Sequence, residues 1–215
     1  MQYSIVVMSC DKYECCWYPF FKCLDKYFPN HPKTYLVSEN KECKYSQTIK
    51  TKGSWTKRLR DALEQIEENY ILLMLEDFFI RKPVDEQRIN KIQFTDDIIC
   101  YNFEKQYRTP AYSTKEWDIQ ANNQWWLNSC QPTMWNKKLL IERLQCELNP
   151  QQWEELFINS PYIHFINNKD YIIDIGYRHQ PLNEGWGVTR GKITKECIKF
   201  LESEGINDFN YNTLL

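Results

Sequence analysis

Glycine is scarce in this chain, with six residues in 215. Neither G-x-G-x-x-G nor G-x-x-x-x-G-K-S/T occurs, which removes the glycine-loop phosphate binders. Long hydrophobic runs are missing too. The longest uncharged apolar stretch, Tyr70–Leu75, has six residues, where a membrane span needs about 18. Met1–Ser9 lacks a basic n-region, which argues against a signal peptide. Histidine is limited to His31, His164 and His179, and the nine cysteines contain no C-x-x-C pair, so a structural zinc site is not expected. Neither sign of charge dominates: 27 Lys+Arg against 29 Asp+Glu leave a net charge of -2, which argues against a nucleic-acid partner.

What remains is an ordinary folded composition, 42% hydrophobic and 26% charged, with a high aromatic share of 15%. A chain of 215 residues suffices for one domain with a full core. The cysteine count is odd and no export signal accompanies it, so reduced thiols in a cytoplasmic protein are the expectation. Nucleophilic chemistry by a Cys–His pair is neither placed nor excluded by sequence.

Tyr3–Met8 is a short β-branched run and reads as a buried strand. Trp17, Phe20, Phe21, Leu24, Tyr27 and Phe28 follow at helical spacing, with Pro19 suited to a first turn, and Thr34–Val37 reads as a second strand. Strand, helix and strand in this order imply a parallel, right-handed crossover. Lys41–Gly53 reads as loop. Ser54 fits a helix N-cap, and the apolar positions continue from Trp55 to Tyr70. Ile71–Leu75 reads as a central strand covered on both faces. Further on, Asp85–Phe94 reads as helix, Ile98–Phe103 as strand, and Tyr107–Trp126 as hairpins or loops. Asn136–Leu148 and Asn149–Asn159 read as helices, Tyr171–Ile175 as a late strand, and Thr194–Glu204, closed by Gly205, as a terminal helix. The expected fold is α/β: a Rossmann-like half over 1–103, then an acceptor-side half over 104–215, with a mixed sheet and helices on both faces.

Three constellations carry candidate chemistry. Glu76 and Asp77 end the most apolar strand, where a carboxylate pair suits a hard divalent cation on nucleotide phosphates. The plainer reading is that charge marks where a buried strand meets solvent. Asp11, after the first strand, stands where an acid accepts hydrogen bonds from a ribose or base, or serves as an ordinary turn residue. Gln131, Trp135, Trp153 and Glu154/Glu155 combine amide, aromatic faces and carboxylates, which suits a sugar ring and a general base. The alternative is a helix with Trp153 in the core and its acids on solvated, dipole-favoured turns.

Together these segments resemble small bacterial glycosyltransferases of capsule and lipopolysaccharide clusters, with a glycosyltransferase A-type fold. The residues that carry the resemblance are Ser4–Tyr13, Trp17–Phe21, Ser54–Ile80, Gln131-Pro132 with Trp135, Pro150–Glu154, and Gly187-Val188 with Gly191-Lys192. The match runs from about residue 3 to 205, and Ser54–Ile80 is its most specific part. The resemblance implies a nucleotide-sugar donor, with Asp11 and Glu76 on the nucleotide side and Asp77 as ligand to Mn²⁺ or Mg²⁺. It places Gln131 and Trp135 toward a glycan or lipid-linked acceptor, with Glu154 the base of an inverting displacement. A lipid-linked acceptor would bring a peripheral membrane contact. Two departures stand out. Phe78 occupies the place of the family's second acid, and Gln151 replaces an aromatic after Pro150. The missing acid motivates an alternative, a catalytically silent relative that binds a glycan or a protein. A nucleotidyltransferase is a third class, although Ser9–Ala62 contains only Gly53 where such enzymes carry a glycine-rich basic loop. Arg58, Arg178, Arg190 and Lys192 are candidate cations for a leaving diphosphate.

Overall fold

A computed structural model of the chain describes residues 1–105, 110–124, 127–176, 187–189 and 192–207. The strands are β1 (Tyr3–Met8), β2 (Thr34–Ser38), β3 (Gln47–Lys50), β4 (Tyr70–Leu75), β5 (Ile98–Lys105), β6 (Tyr112–Ser113), β7 (Trp117–Ile119), β8 (Asn123–Gln124), β9 (Thr133–Asn136), β10 (Ile158–Asn159), β11 (Ile163–Asn167), β12 (Val188–Thr189) and β13 (Lys192–Ile193). The helices are α1 (Glu14–Tyr27), α2 (Trp55–Leu63), α3 (Glu86–Asn90), α4 (Lys137–Arg143), α5 (Pro150–Glu154) and α6 (Lys195–Ser203).

Among the described residues nine strands form one sheet in the order β3-β2-β1-β4-β9-β5-β11-β7-β6. The β3, β2, β1 and β4 ladders are parallel, and so is β5 with β11. Strand β9 runs antiparallel between β4 and β5. The α/β class with a mixed sheet and helices on both faces is therefore as expected, and both halves of the sequence share the one sheet.

Alternation along the strands divides the core in two. Ile5, Val7, Leu36, Leu72 and Met74 pack with Trp17, Phe20 and Leu24 of α1 and with Cys197 and Leu201 of α6. Val6, Met8, Val37, Ile71 and Leu73 pack with Leu59, Ala62 and Leu63 of α2, with Leu139 and Leu140 of α4, and with Trp153 of α5. Strands buried on both faces must be apolar at every position, which is why β1 and β4 read as continuous runs.

Several boundaries differ from the sequence reading. Helix α1 starts at Glu14, so Pro19 lies inside it rather than in its first turn. Helix α2 stops at Leu63; Ile66 is buried in the turn that follows, and Tyr70 already belongs to β4. Strands β3, β9 and β11 were not anticipated. Residues 171–175 form no strand, although Ile172, Ile173 and Ile175 are buried.

From β1 the chain crosses to β2 on one side, and from β4 it moves away on the other. The carboxyl ends of β1 and β4 therefore flank a topological switch point, where open α/β sheets leave a crevice. Among the described residues no helix is long and apolar enough to cross a membrane.

Candidate functional site

The crevice opens where the sheet topology leaves it. Met8, Ser9 and Cys10 line one wall and Leu75, Glu76 and Asp77 the other, with Tyr13, Trp55, Arg58 and Pro150 closing the sides around about 210 Å³. Two helix starts are brought here together. Ser54 caps α2 by accepting the Lys57 N–H, which sets Trp55 at the mouth. Thr56 then ties α2 to the chain before α5: its Oγ1 donates to the Cys146 carbonyl at 2.6 Å and accepts the Leu148 N–H at 2.8 Å. Asn149 and Gln152 form a reciprocal capping box, so Pro150 begins α5 beside α2.

Glu76 is 7% exposed and hydrogen-bonded to the Ser9 hydroxyl, which accepts the Trp17 indole N–H at 2.7 Å. Burial, and then the adjacent Asp77 charge, holds the Glu76 carboxyl well above the usual carboxylate range. Burial raises Asp77 as well, opposed by hydrogen bonds that include the Val188 N–H. Asp77 Oδ1 is buried without a hydrogen-bond partner among the described residues. Tyr13 is pushed up to about 12 by burial and then by the charges of both acids, which sets its ring beside the pair. The Cys10 thiol is raised by burial and by Glu76 and so stays protonated at neutral pH.

Arg58 reaches the crevice from α2. Its Nη2 donates to the carbonyls of Ser9 at 2.6 Å and Val37 at 3.4 Å, and Nη1 lies 3.4 Å from Glu39 Oε1. The guanidinium is thus a brace across the ends of β1 and β2. Of the four cations named from sequence, Arg58 is the one placed at the crevice. Arg178 and Arg190 lie outside the described residues, as does the Lys192 side chain.

Asp11 is not among the crevice lining. Its carboxylate accepts the backbone N–H groups of Glu39, Asn40 and Lys41 at 3.0–3.1 Å and the Asn40 amide at 2.8 Å. Burial opposes ionisation here, but these donors hold the carboxyl well below the usual range. Asp11 therefore ties down the chain that leaves β2, and its carboxylate is spent there.

The acceptor-side residues part company. Glu154 ends α5 and accepts the Cys130 N–H on Oε1 at 2.8 Å. Burial, then the Glu154 and Asp77 charges, raises the Cys130 thiol, so the two acids flank one residue. Gln131 sits just before β9 with a buried Oε1 that has no partner among the described residues. Trp135 is a correction. It lies inside β9 between β4 and β5, is 0% exposed, and offers no face to a sugar. Trp153 is likewise core, at 1% exposure. Among the described tryptophans the one at the crevice is Trp55, half-buried and tilted at 42° against Trp153 with ring centroids 6.3 Å apart. Helical spacing alone counts Trp55 among the apolar positions of α2, and it does pack in part against the core. The signal for its other role was its position directly after an N-cap, at the end of a helix facing the strand ends.

A Cys–His pair does exist: Cys100 Sγ lies 3.4 Å from His164 Nδ1. Both side chains are buried, and burial pushes the thiol up to about 12 and the imidazole well below its usual range. A protonated thiol beside a neutral imidazole with no access is packing, not a nucleophile.

Among the described residues no three His, Cys, Asp or Glu side chains converge as a metal cluster. A hard divalent cation on a nucleotide needs less from the protein, one or two carboxylates with phosphates and water completing the shell. Asp77, with its unpartnered Oδ1, and Glu76 beside it fit that requirement.

No protein-family model matches the chain, and no curated protein does. Solved structures with a related arrangement include the bifunctional IspDF from Campylobacter jejuni, at 16% identity over 67% of this chain and 43% of that one, with a TM-score of 0.42. TarS from S. aureus is 18% identical over 80% of this chain and 36% of its own, with a TM-score of 0.47. Glucosyl-3-phosphoglycerate synthase from Mycobacterium tuberculosis, solved with UDP, is 10% identical over 96% of this chain and 81% of its own, with a TM-score of 0.45. The chain spans less than half the length of the first two. Likeness at this level is one of shape, and the chemistry rests on the crevice itself.

Proposed function

We propose that the crevice binds a nucleotide-sugar and that the protein transfers the sugar to a glycan or lipid-linked acceptor. The observation that carries this is the Glu76-Asp77 pair at the β1/β4 switch point, Glu76 buried and Asp77 half-buried, with one Asp77 oxygen unpartnered among the described residues and an indole at the crevice. A volume near 210 Å³ is below the roughly 300 Å³ usual for small-molecule sites, so it encloses one ring of an extended ligand. The rest of the ligand then lies along the carboxyl edge of the sheet, toward Gln131 and Glu154.

Each group has a task in this reading. Trp55 gives a ring a stacking surface. Glu76 hydrogen-bonds the bound ligand from the same wall as Asp77. Asp77, with Glu76 beside it, would hold Mn²⁺ or Mg²⁺. When bound, such an ion supplies positive charge against a leaving diphosphate. Arg58 keeps the two strand ends in register and adds positive potential at the crevice floor. Glu154 takes the proton of the attacking hydroxyl, and the Cys130 N–H fixes the orientation of its carboxylate. A base on the face opposite the leaving group makes the displacement inverting. Assignment to surface-polysaccharide synthesis, with a peripheral membrane contact where the acceptor is lipid-linked, rests on the sequence resemblance. Asp11 enters the donor side only indirectly, by holding the chain beside Glu39 and Arg58.

A thermal-shift panel of nucleoside diphosphates and nucleotide-sugars, with and without Mn²⁺, tests this. A ligand that binds only the folded state raises the melting temperature by mass action. The expected result is a Mn²⁺-dependent shift with one nucleotide. No shift at millimolar ligand would refute the donor site. Binding without turnover would favour the silent relative motivated by Phe78.

A further inference from the structure

We propose that the backbone of Gly187 and Val188 is a clamp that positions Asp77, which makes Gly187 a positioning residue of the crevice. The proposal rests on the nucleotide-binding reading above. A half-buried carboxylate at a strand end, with one oxygen fully buried, needs donors to fix its orientation, and the Val188 N–H is one of them. The approach depends on residue 187 being glycine. Its φ is +82°, and a Cβ there would stand 2.7 Å from the Asp77 carbonyl oxygen, closer than a carbon and an oxygen can sit. Any side chain at 187 therefore drives Val188 and Asp77 apart.

The clamp is held from behind. Val188 pairs with Ile193 across the β12/β13 ladder, and the Thr194 N–H donates to the Gly187 carbonyl at 3.0 Å. Thr194 caps α6 through the Cys197 N–H. Just beyond α6, Glu204 accepts from Lys26 Nζ at 2.6 Å and from the Tyr27 hydroxyl at 2.8 Å, both on α1. A rigid element thus sets the clamp against Asp77, while Asp77 Oδ1 has no hydrogen bond among the described residues. That is the arrangement expected of a carboxylate oriented for a ligand. It also gives the Gly187-Val188 pair, noted in the sequence, a physical task.

The test uses the full chain and calorimetric titration with UDP, GDP, CDP and ADP in Mn²⁺, taking forward whichever binds wild type most tightly. Gly187→Ala should weaken that nucleotide about tenfold or more, the size of one charge-assisted hydrogen bond. Gly205→Ala is the control for backbone strain: its φ is +70°, but a Cβ there would meet only Lys22 Nζ, at 3.7 Å, among the described residues. It should bind within about twofold of wild type. Val188→Pro deletes the N–H and should match Gly187→Ala, whereas Val188→Ala keeps the N–H and should bind as wild type. The nucleoside without phosphates should bind all folded variants alike. Wild-type affinity in Gly187→Ala, or equal losses in Val188→Ala and Val188→Pro, would overturn the proposal while leaving the nucleotide reading intact. If wild type binds none of the four, the nucleotide reading itself falls and the positioning role with it. If Gly187→Ala does not fold, the Val188 pair decides alone.

Discussion

Replacing Glu104 with glutamine should make the protein more stable, and increasingly so as pH rises. Glu104 lies in β5, is 1% exposed, and among the described residues neither carboxylate oxygen has a hydrogen-bond partner. Burial, with the Asp174 charge adding to it, pushes its carboxyl up to about 8. Below the unfolded pKa, near 4.3–4.5, the group is neutral in both states and costs nothing by ionisation. Between that value and about 8 only the unfolded chain ionises, so stability falls with rising pH. The slope approaches about 1.4 kcal/mol per pH unit, which amounts to about 2.5 kcal/mol between pH 5.5 and 7.5. Glutamine has nearly the same shape and does not titrate, so the stability gap between variant and wild type should widen by that amount over this window. For a chain of this size the gap in melting temperature should grow by roughly 5–10 °C. Urea denaturation of both proteins at the two pH values measures it directly, because every other titrating group is common to the pair. Parallel pH profiles would refute the reasoning and show that Glu104 is solvated or paired in solution.

The remaining expectations concern the crevice and its supports. Arg58→Ala should lower stability by about 2–4 kcal/mol in denaturant, because it strips a guanidinium from the Ser9 and Val37 carbonyls; Arg58→Lys should recover little, since a lysine has no second nitrogen to face Glu39 while the first serves the two carbonyls. Glu154→Gln should cut sugar transfer by about a hundredfold or more while nucleotide affinity stays unchanged, and unaltered turnover would remove Glu154 as the base. Asp11→Asn should flatten the acid limb of the stability profile. A carboxyl held low in the folded state stabilises above its unfolded pKa and loses that contribution as pH falls toward its folded value. An unchanged acid midpoint would show that the N–H groups of Glu39–Lys41 do not hold it.

Which parts of this structure were legible in sequence follows from what each element must bury. Strands β1 and β4 lie inside the sheet with helices on both faces, so every side chain is apolar and the runs are unmistakable. Helices α2, α5 and α6 announced their starts through Ser54, Asn149 and Thr194, each of which accepts a backbone N–H of the first turn. Strand β3 is an edge strand with only Ile49 buried, and its Gln-Thr-Ile-Lys sequence carries no apolar pattern. Strand β9 is four residues long, and its pairing with both β4 and β5 is a non-local fact that local periodicity does not record. Missing β9 is what turned Trp135, a core residue, into a candidate platform. The Glu76-Asp77 pair was readable because a strand end must coincide with a change from apolar to charged residues. Trp55 and Arg58 were legible as residues but not as neighbours, since only the sheet order brings the start of α2 to the ends of β1 and β4. Gly187 is the same case at longer range, because its contact with Asp77 spans more than a hundred residues of chain.

The central claim is that Asp77 anchors a nucleotide in the crevice between β1 and β4. Calorimetric titration of wild type and Asp77→Asn with the nucleotide selected above, in the presence and absence of Mn²⁺, puts it to the most direct test. The account predicts Mn²⁺-dependent binding by wild type and loss of the Mn²⁺ dependence in Asp77→Asn, with the variant still folded. Equal Mn²⁺-dependent affinity in both proteins would contradict it.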